Sequence, residues 1–456
     1  MKKERIAALF LALVLCAQLT PFAHAKDDFD VDARAALLVD LGSDEILYEK
    51  NAYERSYPAS ITKVMTALLV LEAVDAGRLK LDQEITASSE AFEGLAADGS
   101  TANIKPGEAM SVENLLNCLL IVSANEASHI LAEAVAGSVQ NFVLQMNQRA
   151  EQLGCADTQF ANPSGYHNER HYTTAWDIYL ITREAMKHSE FMKIVGRKAY
   201  TVPATNVAKA RELHSTNYLI STWYTGWPGY FYEDAQGIKT GSTPEAGHCL
   251  VASAARGSRQ LVSVVLGAER VKLDSGANET RSFTESARLL DHGFDDFKRM
   301  ELLSADEFIQ EVSVELSSET NYVVVHPAES LERMVPADLE ADGLTRTVTL
   351  YDDPVYAPIA AGDELGTITI SYGDVEYGVI PLLALSDVSA SWLLTKRHEA
   401  LELLARPWVK RAAIGAAALI AGVVVLRAVA VSRARRYRGR RGGAGYSGSY
   451  RGRRKR

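Results

Sequence analysis

The sequence predicts an α+β fold, an antiparallel sheet flanked by helices, followed by a small β-rich domain and a C-terminal transmembrane helix. Strand-like runs at Ala33–Asp40 and Glu45–Glu49 and again at Gly237–Gly241, Gly247–Ala255 and Gln260–Gly267 bracket a helical middle, so the two ends of the first domain meet in one sheet. Beyond Lys298 the pattern becomes short, alternating and β-branched, at Gln310–Leu316, Asn321–Val325, Thr345–Tyr351, Leu365–Tyr372 and Glu376–Pro381. Ala412–Leu426 is uncharged and apolar, and with Ala428–Val431 beyond Arg427 it spans about 30 Å as a helix, the thickness of a bilayer core.

The chain has 456 residues, enough for two or three domains. Lys2, Lys3 and Arg5 precede an apolar run from Ile6 to Ala17, and Ala23-His24-Ala25 offers small residues for cleavage, so 1–25 reads as a secretory signal peptide. The remaining boundaries are 26–297 for the first domain, 298–385 for the β-rich domain, 386–411 for a helical stem, 412–431 for the span and 432–456 for a basic tail. From Arg427 onward there are twelve basic and no acidic residues, so the formal charge of −10 divides into +12 there and −22 before it. An acidic exported body argues against nucleic-acid binding, and the positive-inside rule puts the basic tail in the cytoplasm with the body across the membrane. After cleavage three cysteines remain, Cys118, Cys155 and Cys249, an odd number without framework spacing, which excludes a disulfide scaffold or metal cluster as the organising principle.

In the helical middle, Tyr57-Pro58-Ala59-Ser60-Ile61-Thr62-Lys63 opens a helix apolar nearly all round, which must be buried and which ends near Gly77. Ser60 and Lys63 are three apart and share a face, so a buried lysine with a lowered pKa can take the serine's proton. Leu79–Gly107 is polar and without periodicity. A helix near Val112–Val122 breaks at Ser123-Ala124-Asn125 and another follows from Glu126 to Val135; Ser123 with Glu126 also matches a capping box, a structural reason for the serine. A second S-x-N, Ser215-Thr216-Asn217, makes that motif ambiguous by itself. Helices at Asn141–Leu153 and Trp176–Lys187 follow, with His171 between them as a residue that orders a loop. Lys239-Thr240-Gly241 occurs once, on a strand whose glycine lets a ligand backbone lie close.

The ordered set Ser60-x-x-Lys63, Ser123-x-Asn125 and Lys239-Thr240-Gly241 resembles the serine penicillin-binding proteins and serine β-lactamases. Asn162-Pro163-Ser164-Gly165, His171-Tyr172-Thr173-Thr174-Ala175 with Asp177, and Gly237-Ile238-Lys239-Thr240-Gly241 with Ala246-Gly247 narrow the resemblance to the low-molecular-mass D-alanyl-D-alanine carboxypeptidases, peptidase family S11. It spans about Ala33 to Asp296 and, less specifically, the β domain to about Leu385, and implies a β-lactamase/transpeptidase-like domain without metal or cofactor. It further implies that Ser60 attacks the bond between the terminal D-alanines of a peptidoglycan stem peptide with Lys63 as base. Ser123 would then relay a proton, Asn125 hold the peptide amide, and Lys239 and Thr240 bind the terminal carboxylate beside Gly241. The oxyanion would rest on the backbone N–H groups of Ser60 and Ser242, and β-lactams would be covalent inhibitors. Alternatives from the same residues are a β-lactamase, disfavoured by the membrane anchor, by Ala124 in place of aspartate and by the lack of an equivalent of the class A deacylation glutamate, and a non-catalytic wall-binding protein using the small β domain for contacts, which has no use for the Ser60–Lys63 pair. The family's usual amphipathic anchor differs from the span read here.

Overall fold

The computed structural model describes residues 29–223 and 229–439; the signal-peptide reading and the tail from 440 onward lie outside them. The described residues divide into two compact units, one running as far as Leu302 and including Leu331–Thr345 and Ile370–Gly378, the other comprising Leu303–Ser330, Arg346–Thr369 and the residues from Val379 onward.

The first unit is built on β1 (Ala35–Asp40), β2 (Glu45–Lys50), β3 (Ala235–Thr243), β4 (Gly247–Arg256) and β5 (Arg259–Ala268), in the antiparallel order β2-β1-β5-β4-β3. The two sequence ends of the domain do meet in one sheet, because Ala35 to Asp40 pair with Leu266 to Leu261. Side chains alternate between faces, and here both faces are covered. Ala35, Leu37 and Val39 of β1 and Val262, Val264 and Leu266 of β5 join the large core under the helices. Ala36, Leu38, Leu261 and Val265 face the other way, packing with Leu289 and Leu290 of the helix Arg281–Asp295.

The helical layer comprises α1 (Lys63–Asp75), α2 (Val112–Ile121), α3 (Asn125–Ala136), α4 (Val139–Gln152), α5 (Ala175–Ala185) and α6 (Ser189–Val195), with α7 (Arg281–Asp295) on the opposite face of the sheet. α1 is buried from Lys63 to Leu71, the consequence of an apolar circumference. Ser111 caps α2 by accepting from Asn114 N, Ser138 caps α4 through Asn141 N, and Thr174 caps α5 through Asp177 N. Elements not expected from the sequence include α6, the short hairpins of Ala199–Val202 with Arg211–His214 and of Arg270–Lys272 with Asn278–Thr280, the pairing of Glu84–Thr86 with Ala109–Ser111, and the strand Leu331–Pro336, which pairs with Phe297–Leu303.

In the second unit Gln310–Glu315 pairs antiparallel with Tyr322–Pro327 and parallel with Val355–Tyr356, and Val325 to Pro327 pair with Ala384 to Leu382. Helices α8 (Trp392–Ala405) and α9 (Pro407–Gly439) follow. α9 begins before Ala412 and runs past Val431 into the basic segment. Its apolar stretch is long enough to cross a membrane, the one such helix among the described residues.

Candidate active site

The nucleophile candidate sits on a tighter turn than the sequence suggested. Ala59–Thr62 is a 3₁₀ turn after Pro58, and the α-helix begins only at Lys63. Ala59 is held at φ 48°, a left-handed conformation that costs a residue with a Cβ and that surrounding packing must enforce. Gly165 supplies part of that packing, since a Cβ there would lie 1.8 Å from the Ala59 carbonyl oxygen.

Lys63 is fully buried, and its Nζ lies 2.9 Å from Ser60 Oγ, 2.7 Å from Asn125 Oδ1 and 2.6 Å from the Ser164 carbonyl oxygen. Burial, and then the neighbouring Lys239 cation, hold its pKa well below the ordinary lysine value. Two of the three acceptors fix the amine while the third is the serine hydroxyl, so an amine that loses its proton is already in place to receive the hydroxyl's. Ser60 opens onto a cleft of about 890 Å³ that Gly99, Asn125, Tyr166, His167 and Ser242 also line.

Among the described residues β3 is the edge of its sheet, paired with β4 alone, which leaves its outer edge for an extended ligand. Gly241 is where that edge meets the Ser60 turn: a Cβ would lie 2.9 Å from Pro58 O and 3.0 Å from Ser60 N. Lys239 is buried, its Nζ donating to its neighbour's Thr240 O at 3.0 Å, and burial lowers its pKa to about 7. Thr240 Oγ1 is 2.8 Å from Thr216 Oγ1. The second S-x-N is therefore also beside the site, a placement that sequence order could not reveal.

Ser123 is buried at φ 64°, and its Oγ has no hydrogen-bond partner among the described residues. The capping box does not form: α3 starts after Ala124 without a side-chain cap, and Glu126 turns instead to the preceding loop. A serine with an unsatisfied hydroxyl in a costly backbone conformation has no structural reason of its own there. His171 does order a loop. Its Nε2 is 2.8 Å from Thr62 Oγ1 and its Nδ1 accepts from Ala161 N at 3.3 Å, while burial drives its pKa down to about 3.

Thus Ser60, Lys63 and Asn125 are directly joined, Gly241 abuts them, and Ser123, Lys239 and Thr240 are held on neighbouring elements without a direct bond to Ser60. The loop Asp98–Ser100 and the Ser164 carbonyl were missed; the only signal was the long non-periodic stretch before Gly107, a length unusual for a passive connection.

A serine paired to a buried lysine beside an open strand edge defines a serine acyl-transfer enzyme. Residues 21–270 match the family model described as D-alanyl-D-alanine carboxypeptidase, Peptidase_S11, and residues 297–390 match the penicillin-binding protein 5 C-terminal domain. The chain is 30% identical over 398 residues to D-alanyl-D-alanine carboxypeptidase DacF of Bacillus subtilis, covering 86% of this chain and 96% of that protein. It is 33% identical over 365 residues to DacC of Escherichia coli, covering 78% and 84%. Among solved structures it is similar to DacD of Francisella tularensis, with TM-score 0.66, 26% identity and 82% and 96% of the two chains covered. It is also similar to penicillin-binding protein 5 of Haemophilus influenzae, with TM-score 0.60, 28% identity and 80% and 100% covered. The chain belongs to the S11 family of serine-type D-alanyl-D-alanine carboxypeptidases.

Proposed function

We propose that this chain removes the C-terminal D-alanine from peptidoglycan stem pentapeptides through an acyl-enzyme on Ser60. The observation that carries this reading is the 2.9 Å approach of the buried Lys63 Nζ to Ser60 Oγ. Lys63, with its pKa lowered, takes the hydroxyl proton as Ser60 attacks the carbonyl between the two D-alanines. The tetrahedral oxyanion is received by the backbone N–H groups of Ser60 and Ser242, which line one cleft. Lys239 and Thr240 hold the terminal carboxylate, with Gly241 allowing the peptide to lie along β3. Asn125 holds the acyl-side amide, and Ser123 relays a proton to the leaving D-alanine amine. Water then hydrolyses the ester. β-Lactams, which mimic the dipeptide, acylate the same serine.

The same reading makes the protein exported and anchored in the cell membrane through α9, its catalytic domain outside the cytoplasm. The length and apolar composition of α9 support this, as do the Arg427, Arg433 and Arg435 that follow its most apolar part.

The test is D-alanine release from a stem pentapeptide by the full chain in detergent, beside Ser60→Ala, with mass spectrometry after penicillin. Release that disappears in the variant, with a lasting penicilloyl adduct on Ser60, is the expected result. Fast penicillin turnover without D-alanine release would instead identify a β-lactamase, and neither release nor adduct a binding protein.

A further inference from the structure

The non-periodic stretch before Gly107 forms one wall of the cleft through Asp98, Gly99 and Ser100. It lies directly on Asn125. The Asn125 N–H donates to Ser100 O at 2.8 Å, and a Cβ on Gly99 would stand 2.5 Å from Asn125 Nδ2. Residues 100–105 have no helix or ladder to absorb their backbone groups, so something else must do so. One carboxylate takes two of their N–H groups together with a side-chain hydroxyl. Glu126, 4% exposed, accepts at Oε1 from Thr101 Oγ1 at 2.6 Å, Ala102 N at 2.8 Å and Ile104 N at 3.4 Å. Thr101 Oγ1 in turn accepts from Asn103 N at 2.8 Å, and Arg211 Nη1 donates to Ala102 O at 2.7 Å.

We infer that Glu126 is a positioning residue for the reaction, a buried carboxylate that clamps the 98–104 loop onto Asn125 and thereby fixes the amide bonded to Lys63. The kinetic consequence rests on the function proposed above; the clamp itself does not. A charge is better suited to this than a neutral side chain, because hydrogen bonds to an ionised acceptor are about twice as strong as neutral ones. The charge also reaches the base. Burial and Lys239 lower the pKa of Lys63, and Glu126 acts on it in the opposite sense. Other titratable groups near it are His129 of α3 and His171, which burial lowers to about 4 and about 3 and so keeps neutral, and the Cys118 thiol of α2, which burial and then the Glu126 charge raise to about 12, while the Glu108–Arg211 ion pair borders the far end of the loop.

The test compares the full chain in detergent with Glu126→Gln, Glu126→Ala and Gly99→Ala. Hydrogen exchange at 101–104, the penicillin acylation rate against pH, and D-alanine release are measured. In Glu126→Gln, exchange at the Ala102 and Ile104 amides should quicken about tenfold and acylation should fall about tenfold, the scale of one weakened charge-assisted bond. The acid limb of the acylation profile should also move to lower pH, since the anion that favours protonated Lys63 is gone. Gly99→Ala leaves the charge in place and pushes on Asn125 directly, so acylation should fall with the acid limb unmoved. Glu126→Ala should lose more than Glu126→Gln; if it fails to fold, the other two variants decide. Folded Glu126→Gln with wild-type exchange, rate and acid limb would overturn the inference, as would a rate loss that only follows melting temperature. If the wild type neither releases D-alanine nor takes up penicillin, the proposed function fails, and exchange at 101–104 still decides the clamp.

Discussion

Replacing Gly165 by alanine separates backbone strain from contact at the nucleophile. Gly165 has φ 80°, and Gly154, at the end of α4, has φ 83°, so both substitutions incur the same left-handed strain, about 1 kcal/mol. A Cβ at Gly154 meets nothing within 4 Å, whereas at Gly165 it falls 1.8 Å from Ala59 O, 2.5 Å from Ala59 C and 2.8 Å from Thr62 Oγ1. Ordinary contact begins near 3.4 Å, so the Gly165 loop and the Ser60 turn must separate by about 1.5 Å. That moves the Ser164 carbonyl, which holds Lys63, away from the turn that carries Ser60. Misplacement of about 1 Å costs roughly 100-fold in a reaction governed by orientation. Gly154→Ala should therefore lower the melting temperature by about 2–4 °C with normal acylation by a fluorescent penicillin. Gly165→Ala should melt lower still and acylate about 100-fold more slowly at temperatures where it is folded. Equal acylation rates in the two folded variants would refute this account of how the turn is held.

Four further outcomes follow from buried titratable groups. Lys239 has its folded pKa depressed to about 7 from an unfolded value of 10.5, so its stability contribution is full only above the unfolded value and is lost as pH falls toward 7. Lys239→Met should accordingly raise the melting temperature most below about pH 7. In the wild type the KM for D-alanine release should climb as pH rises past about 7 and the ammonium is lost. His171, depressed to about 3 from 6.5, contributes stability present above 6.5 and lost as pH falls through 3; thermal melts of His171→Gln should show a flatter dependence across that window. The thiols of Cys118 and Cys249, raised by burial to about 12 and about 11, should resist a disulfide reagent in the folded enzyme and react only after denaturant is added.

The parts of the site legible in the sequence are those where local spacing and three-dimensional adjacency coincide. Ser60 and Lys63 are three apart on one turn, and the apolar circumference of α1 implied the burial that lowers the lysine's pKa. Gly241 was singled out as the glycine that lets a ligand backbone lie close to its strand, whereas its closeness to the turn that carries Ser60 became visible only in the structure. Contacts made across the chain were not legible. Nothing in Ser215-Thr216-Asn217 indicates that Thr216 reaches Thr240, and a backbone carbonyl such as that of Ser164 leaves no compositional trace. The capping-box pattern at Ser123 misled because local propensity lost to tertiary demand: Glu126 satisfies three donors of a distant loop rather than the cap. The short α6 and the Ala199–Val202 hairpin have too few residues to establish a period.

The place of β1 within its sheet has a consequence for the order of assembly. β3, β4 and β5 are consecutive in sequence and can zip as local hairpins, but β1 is flanked by β2 on one side and on the other by β5, made roughly 230 residues later. Until Ala268 is available, β1 and β2 form an isolated hairpin, too small to be stable in water. A chain emerging in order from its amino end therefore stays without a closed sheet until more than half of its length is made. Closing a loop on that scale makes the β1–β5 ladder slower to form than the local hairpins of β3, β4 and β5.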